Sequence, residues 1–480
     1  MVVGVVRMHY QGTEPLSLSV RPRDDKPLSA GRLARAFAKS YATKYPRARD
    51  SWVCEAGQVA LSLDARGDEV VTGDVEATDL FVVRVPSVHD ELLGLRCGAD
   101  RLIGSACYLG GSITEQKAGW RPRFHAWLEG RLGRSVRAVN AFCGNAGSTL
   151  LAFAARDWVV ASAPDLVFIE VAINDGDTIL EAAGDLEKER AVGRALEGIV
   201  RAVRDALPET IIVFVEMFLR DDLATHRRSG TRAWVDSDDP AAAAAVYHRR
   251  VVDVHASVAR AYGAALVNLV PSFAAIEPSE RDRYFRDDCH HTEAGAALAA
   301  SLVADCFDRL LRIKSATPKI PEPLDARFWR TNGARRFDAD RLSRGPVVAH
   351  RAVADRCPVT GEQAEWLWLY PGDALECAFV GRALALVTYV GPDTGLVRVV
   401  VDGGPATLVD LVDQWCYYWR LSIALLWTGS DGDHRATISV DQAPPNRAVL
   451  KRPISDPNYL HNPVLGKTPK LWLRWYAAIL

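Results

Sequence analysis

The chain has 480 residues, of which 49% are hydrophobic and 25% are charged, fractions that are ordinary for a soluble globular protein of about two to four domains. Lysine and arginine number 58 against 60 aspartates and glutamates, so the net charge of −2 gives no support for a nucleic-acid or an anionic-membrane partner. No apolar run reaches the roughly 18 residues of a transmembrane helix.

The cysteines and the first residues bear on the cellular compartment. Nine cysteines are scattered along the chain, and no two of them form a Cys-x-x-Cys pair. This usage is typical of reduced thiols inside a cell and argues against a zinc ribbon or a disulfide scaffold. The apolar start is broken by Arg7 and His9, too early for a signal peptide. The sequence therefore predicts a cytoplasmic protein.

Residues 1–92 form a small α+β domain in this interpretation. Val2–Tyr10 and Leu16–Arg21 alternate apolar and polar residues, which predicts a hairpin. Ser29 is placed to cap a helix, and a last strand is predicted over Asp79–Val85. This order of elements resembles the β-grasp layout of ubiquitin-like modules. The resemblance implies a packing domain, or one through which a protein partner docks.

Residues 97–313 alternate strands with helices. Near-continuous apolar strands are expected where helices cover both faces of a parallel sheet, so a doubly wound, five-stranded α/β domain is predicted. Helices are expected near residues 120–132, 148–162, 182–206, 241–262 and 293–312. The predicted strands are Leu102–Leu109, Val136–Phe142, Asp165–Ile173, Thr210–Met217 and Ala264–Leu269.

A proline-containing stretch separates this domain from the rest of the chain. Residues 314–324 are predicted to be a linker. Residues 325–480 lose helical periodicity and carry alternating runs such as Leu396–Asp402 between glycine-rich turns. This pattern predicts antiparallel strands and a C-terminal β-sandwich.

Polar residues follow several of the predicted parallel strands. Ser112 follows the first strand in the turn Gly110-Gly-Ser-Ile-Thr114, and Gly144-Asn145-Ala-Gly147 follows the second. Asn174 and Asp175 end the third strand. Asp287-Asp-Cys-His-His291 precedes the last helix. Because ligands of open parallel sheets bind beyond the carboxyl ends of the strands, we expect these groups to meet there.

These four groups, in this order, resemble the signature blocks of the SGNH (GDSL-like) hydrolases. Block one is Gly110–Thr114, with Gly111 where the family often has aspartate. Block two is Asn140–Ser148, block three is Ala172-Ile-Asn-Asp175, and the last block, Asp-x-x-His, is Asp287–His290. The resemblance spans about 200 residues and implies a serine esterase that works without a cofactor.

The resemblance assigns a role to each of these residues. Ser112 would attack the acyl carbonyl, His290 would take its proton, and Asp287 would orient the imidazole. The oxyanion hole would combine the N–H of Ser112, a block-two N–H and the side chain of Asn174. The glycine of block two falls on Gly144 or, counted from Asn140, on Asn145, so both are candidates.

Two alternatives stay open at this stage. His291 with Asp288 also fits Asp-x-x-His, although the Thr-x-x-Gly that follows favours His290 as the base. Asp287, Asp288, Cys289, His290 and His291 are residue types that bind zinc. Adjacent residues rarely converge on one ion, however, and no second histidine or cysteine group is spaced to complete the shell.

The expected activity is the hydrolysis of a small acyl ester through an acyl-enzyme. Glycine-rich C-terminal segments, Gly391–Gly395, Val401–Gly404 and Gly432–His434, resemble the β-sandwich modules of SGNH carbohydrate esterases. They favour an O-acetylated carbohydrate as substrate. One alternative is an O-acyltransferase with the same serine, histidine and aspartate; a second is a multidomain binding or scaffold protein without catalysis.

Overall fold

The computed structural model describes residues 5–10, 16–19, 51–56, 59–63, 80–85, 103–181, 186–220, 240–310, 320–336, 352–356, 363–413, 416, 420–450, 471–473 and 475–479. The helix predicted to begin at Ser29 and linker residues 314–319 lie outside these ranges. Within the described ranges, no helix combines the length and the apolar character needed to cross a membrane.

The N-terminal strands form one mixed sheet. Its order is β2-β1-β5-β3-β4. Strands β1 and β2 pair antiparallel as the predicted hairpin, and β1 and β5 pair in parallel at the centre. This arrangement agrees with the β-grasp-like layout expected from the sequence. The strands are β1 (Val5–Tyr10), β2 (Leu16–Ser19), β3 (Ser51–Ala56), β4 (Val59–Leu63) and β5 (Leu80–Val85).

The predicted five-stranded parallel sheet is confirmed. Its order is β10-β9-β8-β6-β7, and every neighbouring pair is parallel. Strand β6 therefore has the second strand of the domain on one side and the third on the other. The order in which the chain adds strands to the sheet reverses at β6. In sheets of this kind, a crevice opens beyond the carboxyl end of the strand at which the order reverses. The strands are β6 (Ser105–Gly110), β7 (Arg137–Phe142), β8 (Leu166–Glu170), β9 (Ile211–Glu216) and β10 (Ala265–Asn268).

Helices cover both faces of this sheet. Alternate strand residues enter separate cores: Tyr108 and Phe168 pack on one face, and Leu109 and Ile169 on the other. This is why the strands read as continuous apolar runs. The helices are α1 (Ser112–Glu115), α2 (Trp120–Leu132), α3 (Ser148–Leu151), α4 (Ala172–Glu181), α5 (Leu186–Ala206), α6 (Pro240–Tyr262), α7 (Val270–Ala274) and α8 (Glu293–Leu310).

Two helical boundaries differ from the sequence prediction. Asn174 and Asp175 lie in the first turn of α4, because β8 ends at Glu170 and the chain becomes helical at Ala172. An apolar run such as Val171-Ala-Ile173 suits a buried helix as well as a strand, so the sequence does not indicate where the strand ends and the helix begins. The predicted helix 148–162 is regular only over α3 and continues as irregular helical turns.

The C-terminal part is antiparallel, as predicted. Two four-stranded sheets, β11-β21-β15-β18 and β14-β19-β16-β17, enclose an apolar core, and β12-β13-β20 forms a third sheet. The strands are β11 (Thr331–Arg336), β12 (Ala352–Arg356), β13 (Gln363–Leu369), β14 (Ala374–Val380), β15 (Ala383–Val390), β16 (Leu396–Val401), β17 (Thr407–Asp410), β18 (Arg420–Thr428), β19 (Asp433–Val440), β20 (Leu471–Leu473) and β21 (Trp475–Ile479).

Strand β15 contributes to two cores at once. Leu384 and Leu386 point into the sandwich, whereas Ala383, Ala385 and Val387 pack in the core on one face of the parallel sheet. Successive side chains of a strand point to opposite faces, so a single strand serves both. The sandwich therefore packs directly on the α/β domain.

The chain that connects the two domains is also anchored. The carboxylate of Glu197, on α5, accepts hydrogen bonds from the backbone N–H groups of Leu324 (2.6 Å) and Asp325 (3.1 Å). Arg194 forms an ion pair with Asp325 at 2.6 Å, and its carbonyl accepts the N–H of Trp329. Residues 324–329 thus lie against α5.

Four ionisable side chains are buried together below the carboxyl edge of the parallel sheet. His255 lies between Glu216 (2.8 Å) and Asp175 (3.0 Å) and is 1% exposed. Burial lowers the pKa of His255, but the two carboxylates outweigh it and raise the pKa to about 10. Burial raises the pKa of the nearby Glu170 to about 8, against two hydrogen bonds from Thr114. Near pH 7, we therefore expect a charged His255 and a protonated Glu170.

The packing of α5 predicts opposite effects for two glycines. A Cβ at Gly198 would lie 2.0 Å from the carbonyl oxygen of Trp329, whereas one at Gly193 would meet only a methyl of Val254 at 3.7 Å. Gly198→Ala should lower the free energy of unfolding by about 1–3 kcal/mol through steric overlap. Gly193→Ala, the matched control, should raise it by up to about 1 kcal/mol through helix propensity. Chemical denaturation of both variants measures this; a stabilised Gly198→Ala would contradict the described docking.

The buried Glu170 predicts a pH-dependent stability. Below its ordinary pKa of 4.5, Glu170 holds its proton in both the folded and the unfolded state, so it adds nothing to the pH dependence of the free energy of unfolding. Between 4.5 and about 8 only the folded state holds it, so the free energy of unfolding should fall with rising pH, at up to about 1.4 kcal/mol per unit. Glu170→Gln, which cannot ionise, should lack this component. Denaturation curves from pH 5 to 9 that run parallel for wild type and variant would contradict it.

Candidate active site

The turn between β6 and α1 exposes Ser112 at the carboxyl edge of the sheet. Gly110 allows this turn, because a Cβ there would lie 2.5 Å from Oγ1 of Thr114 and 2.7 Å from the carbonyl oxygen of Glu170. The N–H of Gly111 donates to the same carbonyl at 3.2 Å. Ser112 then becomes the first residue of α1.

The carboxyl group at the start of α1 comes from a distant residue. Gly111, where the resembling family often has aspartate, has no side chain to cap the helix. Oε2 of Glu170 instead accepts the hydroxyl of Thr114 at 2.7 Å and its N–H at 3.2 Å. The N–H of Thr114, which would otherwise be unpaired in the first turn of α1, gains a hydrogen-bond acceptor in this way.

The structure brings Ser112, His290 and Asp287 together. Oγ of Ser112 lies 2.7 Å from Nε2 of His290, and Nδ1 of His290 lies 2.9 and 3.0 Å from the two carboxylate oxygens of Asp287. Ser112 and His290 are 178 positions apart in the chain. The three side chains form one continuous chain of hydrogen bonds.

Asp287 is held in its ionised form. Burial raises the pKa of its carboxyl, but hydrogen bonds from the His290 ring, the charge of that ring, and the N–H groups of His290 and Cys289 outweigh it. The pKa is therefore well below its ordinary value. An ionised Asp287 favours the tautomer of His290 with its proton on Nδ1, which leaves Nε2 free to accept the proton of Ser112.

The structure places His291 and Asp288 elsewhere. The ring of His291 is 3% exposed and packs against Phe273 and Phe285, at centroid distances of 5.2 Å each. Neither of its ring nitrogens has a hydrogen-bond partner in the described part of the chain, and burial lowers its pKa to about 3. Asp288 is buried, and its carbonyl accepts the N–H of Arg220 at 2.8 Å.

The oxyanion-hole candidates lie around the same turn. The side-chain nitrogen Nδ2 of Asn174 lies 2.3 Å from the point that a Cβ on Gly111 would occupy, and it donates to the carbonyl of Ala146 at 3.1 Å. The turn that contains Gly144 and Asn145 is tied to β6 by the N–H of Cys143, which donates to Gly110 at 3.0 Å. Asn145 has a φ of 63°, in the left-handed region.

A group of metal-binding residue types also occurs at this site. The potential ligand atoms of Asp287, Cys289 and His290 lie within 4.8 Å of one another. Nδ1 of His290 already forms a hydrogen bond with Asp287, so an ion held there would compete with the hydrogen-bond chain to Ser112. The geometry therefore favours the serine arrangement, which employs every hydrogen-bonding atom of the His290 ring.

Sequence reasoning did not identify several neighbours of the site. Glu170 and Glu216 are single acidic residues at the ends of apolar strands, a pattern that could have indicated them, and His255 is one of two buried histidines on α6. The contacts of Arg420 and Glu115 with Gly144 could not be predicted, because a single sequence does not show which distant positions lie close together in the fold.

The fold is similar to that of solved carbohydrate esterases. A two-domain esterase (CEX) active on acetylated mannans, crystallised with mannopentaose, superposes with a TM-score of 0.55 at 18% identity. The match covers 82% of this chain and 98% of that one. A second structure of a two-domain esterase (CEX) active on acetylated mannans gives 0.54 at 19% identity, covering 78% and 92%. At these identities, the likeness is one of fold.

Sequence comparison adds the family. A search of curated proteins finds no match to this sequence. The model of the GDSL-like lipase/acylhydrolase family matches residues 108–298, a range that contains Ser112, Asn174 and His290. The central part of the chain is therefore a GDSL-like lipase/acylhydrolase domain, that is, a carboxylic ester hydrolase.

Proposed function

We propose that this protein hydrolyses a small acyl ester through a covalent acyl-enzyme on Ser112. The observation that carries the proposal is the hydrogen-bond chain from Asp287 through His290 to Ser112, with contacts of 2.9 and 2.7 Å. A serine hydroxyl is a weak nucleophile until a base takes its proton, and this chain supplies that base.

The reaction then follows from the positions of the protons. Oγ of Ser112 attacks the acyl carbon while Nε2 of His290 takes the hydroxyl proton, and the same proton goes to the departing alcohol oxygen. Water then attacks the acyl-enzyme, with His290 again as the base, and releases the carboxylic acid. The ionised Asp287 stabilises the imidazolium at both stages.

The developing oxyanion needs donors that are already in place. The N–H of Ser112 at the start of α1, the N–H of Gly144 or Asn145, and the amide of Asn174 are proposed to supply them. Asn174 is itself held by its hydrogen bond to Ala146, so little reorganisation is needed. Such preorganised donors account for a large part of the rate enhancement in acyl transfer.

The proposed substrate class is O-acetylated carbohydrate. The two-domain esterases with the same fold are described as active on acetylated mannans, which supports extending that class to this chain. Glu115, an exposed acidic side chain beside Gly144, suits a polar alcohol portion better than a long acyl chain.

Point variants test the nucleophile and the base. Ser112→Ala and His290→Ala should each lower kcat for acetate release from an activated acetyl ester by about 10⁴-fold, because either change breaks the unit that generates the nucleophile. The measurement is acetate production with folded protein, checked by circular dichroism.

His291→Phe is the matched control. It keeps a ring among Phe273 and Phe285 and should leave kcat within about threefold of wild type. Full activity in Ser112→Ala would refute the mechanism, and equal losses in the two histidine variants would reopen the choice between His290 with Asp287 and His291 with Asp288. Comparing ester consumed with acetate released, in the presence of a sugar acceptor, separates hydrolysis from acyl transfer.

Gly111 provides a test of the oxyanion hole. A Cβ there would overlap Nδ2 of Asn174, so Gly111→Ala should move that amide and lower kcat by about 10- to 100-fold. The free energy of unfolding should change less than kcat, because the closest atom is the end of one side chain and the next, the carbonyl oxygen of Ala146, lies at 3.3 Å.

A double-mutant cycle with Asn174→Ala makes this test specific. In that background, where the amide is already gone, Gly111→Ala should cause almost no further loss of kcat. Additive losses would show that Gly111 acts on the site by another route.

A further inference from the structure

The turn after β7 is bonded to the β-sandwich at two consecutive residues. The thiol of Cys143 donates to the carbonyl of Leu421 at 3.3 Å, and Nη1 of Arg420 donates to the carbonyl of Gly144 at 3.4 Å. Burial raises the pKa of Cys143 to about 12, so the thiol keeps the proton that it donates. Leu421 and Ile423 of β18 also pack in the apolar core that holds Cys143.

Arg420 is an unusual side chain for such a contact. Its side chain is 6% exposed and forms an ion pair with Asp413 of the sandwich, while its Nε has no hydrogen-bond partner in the described residues. Burying a guanidinium is costly unless its donors are used. The donor that crosses the domain interface reaches the backbone of the turn.

This contact sets the direction of a backbone N–H. In a trans peptide, the C=O of one residue and the N–H of the next point in opposite directions. Holding the carbonyl of Gly144 towards Arg420 therefore aims the N–H of Asn145 away from the sandwich. Asn145 is left-handed, with a φ of 63°, a region that asparagine enters more readily than other non-glycine residues.

Glu115 also approaches this turn. A Cβ on Gly144 would lie 3.0 Å from Oε2 of Glu115, so this carboxylate packs against the glycine. Burial of the carboxyl group raises the pKa of Glu115, and the charges of Arg420 and His290 oppose the rise. Glu115 of the α/β domain and Arg420 of the sandwich therefore both contact Gly144.

We propose that Arg420 is a positioning residue that the β-sandwich supplies to the ester-hydrolysing site. It acts through the peptide that joins Gly144 to Asn145 and keeps the N–H of Asn145 aligned for the oxyanion. The inference depends on the proposed function. It makes the sandwich a part of the oxyanion hole in addition to a domain packed beside it.

Substitutions at Arg420 and at a matched interface position test this role. Arg420→Gln should lower kcat for an activated acetyl ester about tenfold or more and change KM less than threefold, because the N–H alignment matters mainly in the transition state. Arg420→Lys keeps the charge beside Asp413 and should restore part of the loss. Ile423→Val, in the same strand and interface, should lower stability but leave kcat unchanged.

The outcomes separate this inference from the proposed function. If Arg420→Gln does not fold, the kcat of Arg420→Lys decides: a loss of at least threefold at unchanged KM supports the role, and a wild-type value refutes it. A folded Arg420→Gln with wild-type kcat also refutes it. The role is refuted as well if Ile423→Val, at equal destabilisation, lowers kcat by the same factor as Arg420→Gln. An inactive Ser112→Ala beside a fully active Arg420→Gln would refute this inference alone, whereas an active Ser112→Ala would refute the proposed function.

Discussion

The contact between the end of β8 and the turn after β6 sets the geometry of the site. The backbone of Glu170 accepts the N–H of Gly111 at 3.2 Å, and its carboxyl group holds both donors of Thr114. Ser112 lies between these two anchored residues, so its position is fixed from both sides. The absence of a side chain at Gly110 permits this approach. A turn that is so tightly packed on a neighbouring strand can present a serine without relying on the flexibility of a surface loop.

The same edge of the sheet joins the blocks to one another. Asp175, the neighbour of Asn174, accepts the N–H and the hydroxyl of Ser148 at 2.6 and 3.0 Å, and its other oxygen reaches His255. Block three is therefore bonded to the end of block two, and through His255 to β9. The residues proposed to face the ester are supported by a buried layer of ionisable groups, which fixes their directions as well as their positions.

Local patterns predicted a large part of this arrangement. Continuous apolar strands indicated the parallel sheet, and polar residues at the strand ends indicated where Ser112, Asn174 and His290 meet, because the rule about strand ends needs no distances. The choice between Gly144 and Asn145 did not follow from the sequence, since it depends on the backbone angles of one turn. Arg420 was missed for a related reason: it donates a hydrogen bond to Gly144 from 276 positions away, across a domain interface. The N-terminal helix and the role of its domain stay predictions.

Strand β15 joins the cores of the two larger domains. Its leucines complete the sandwich core, and its alanines and Val387 complete a core of the α/β domain. Neither core can melt without removing one wall of the other, so unfolding should be cooperative across the pair. An excised α/β domain would present the bared apolar face to solvent, and self-association would be the expected fate of that fragment.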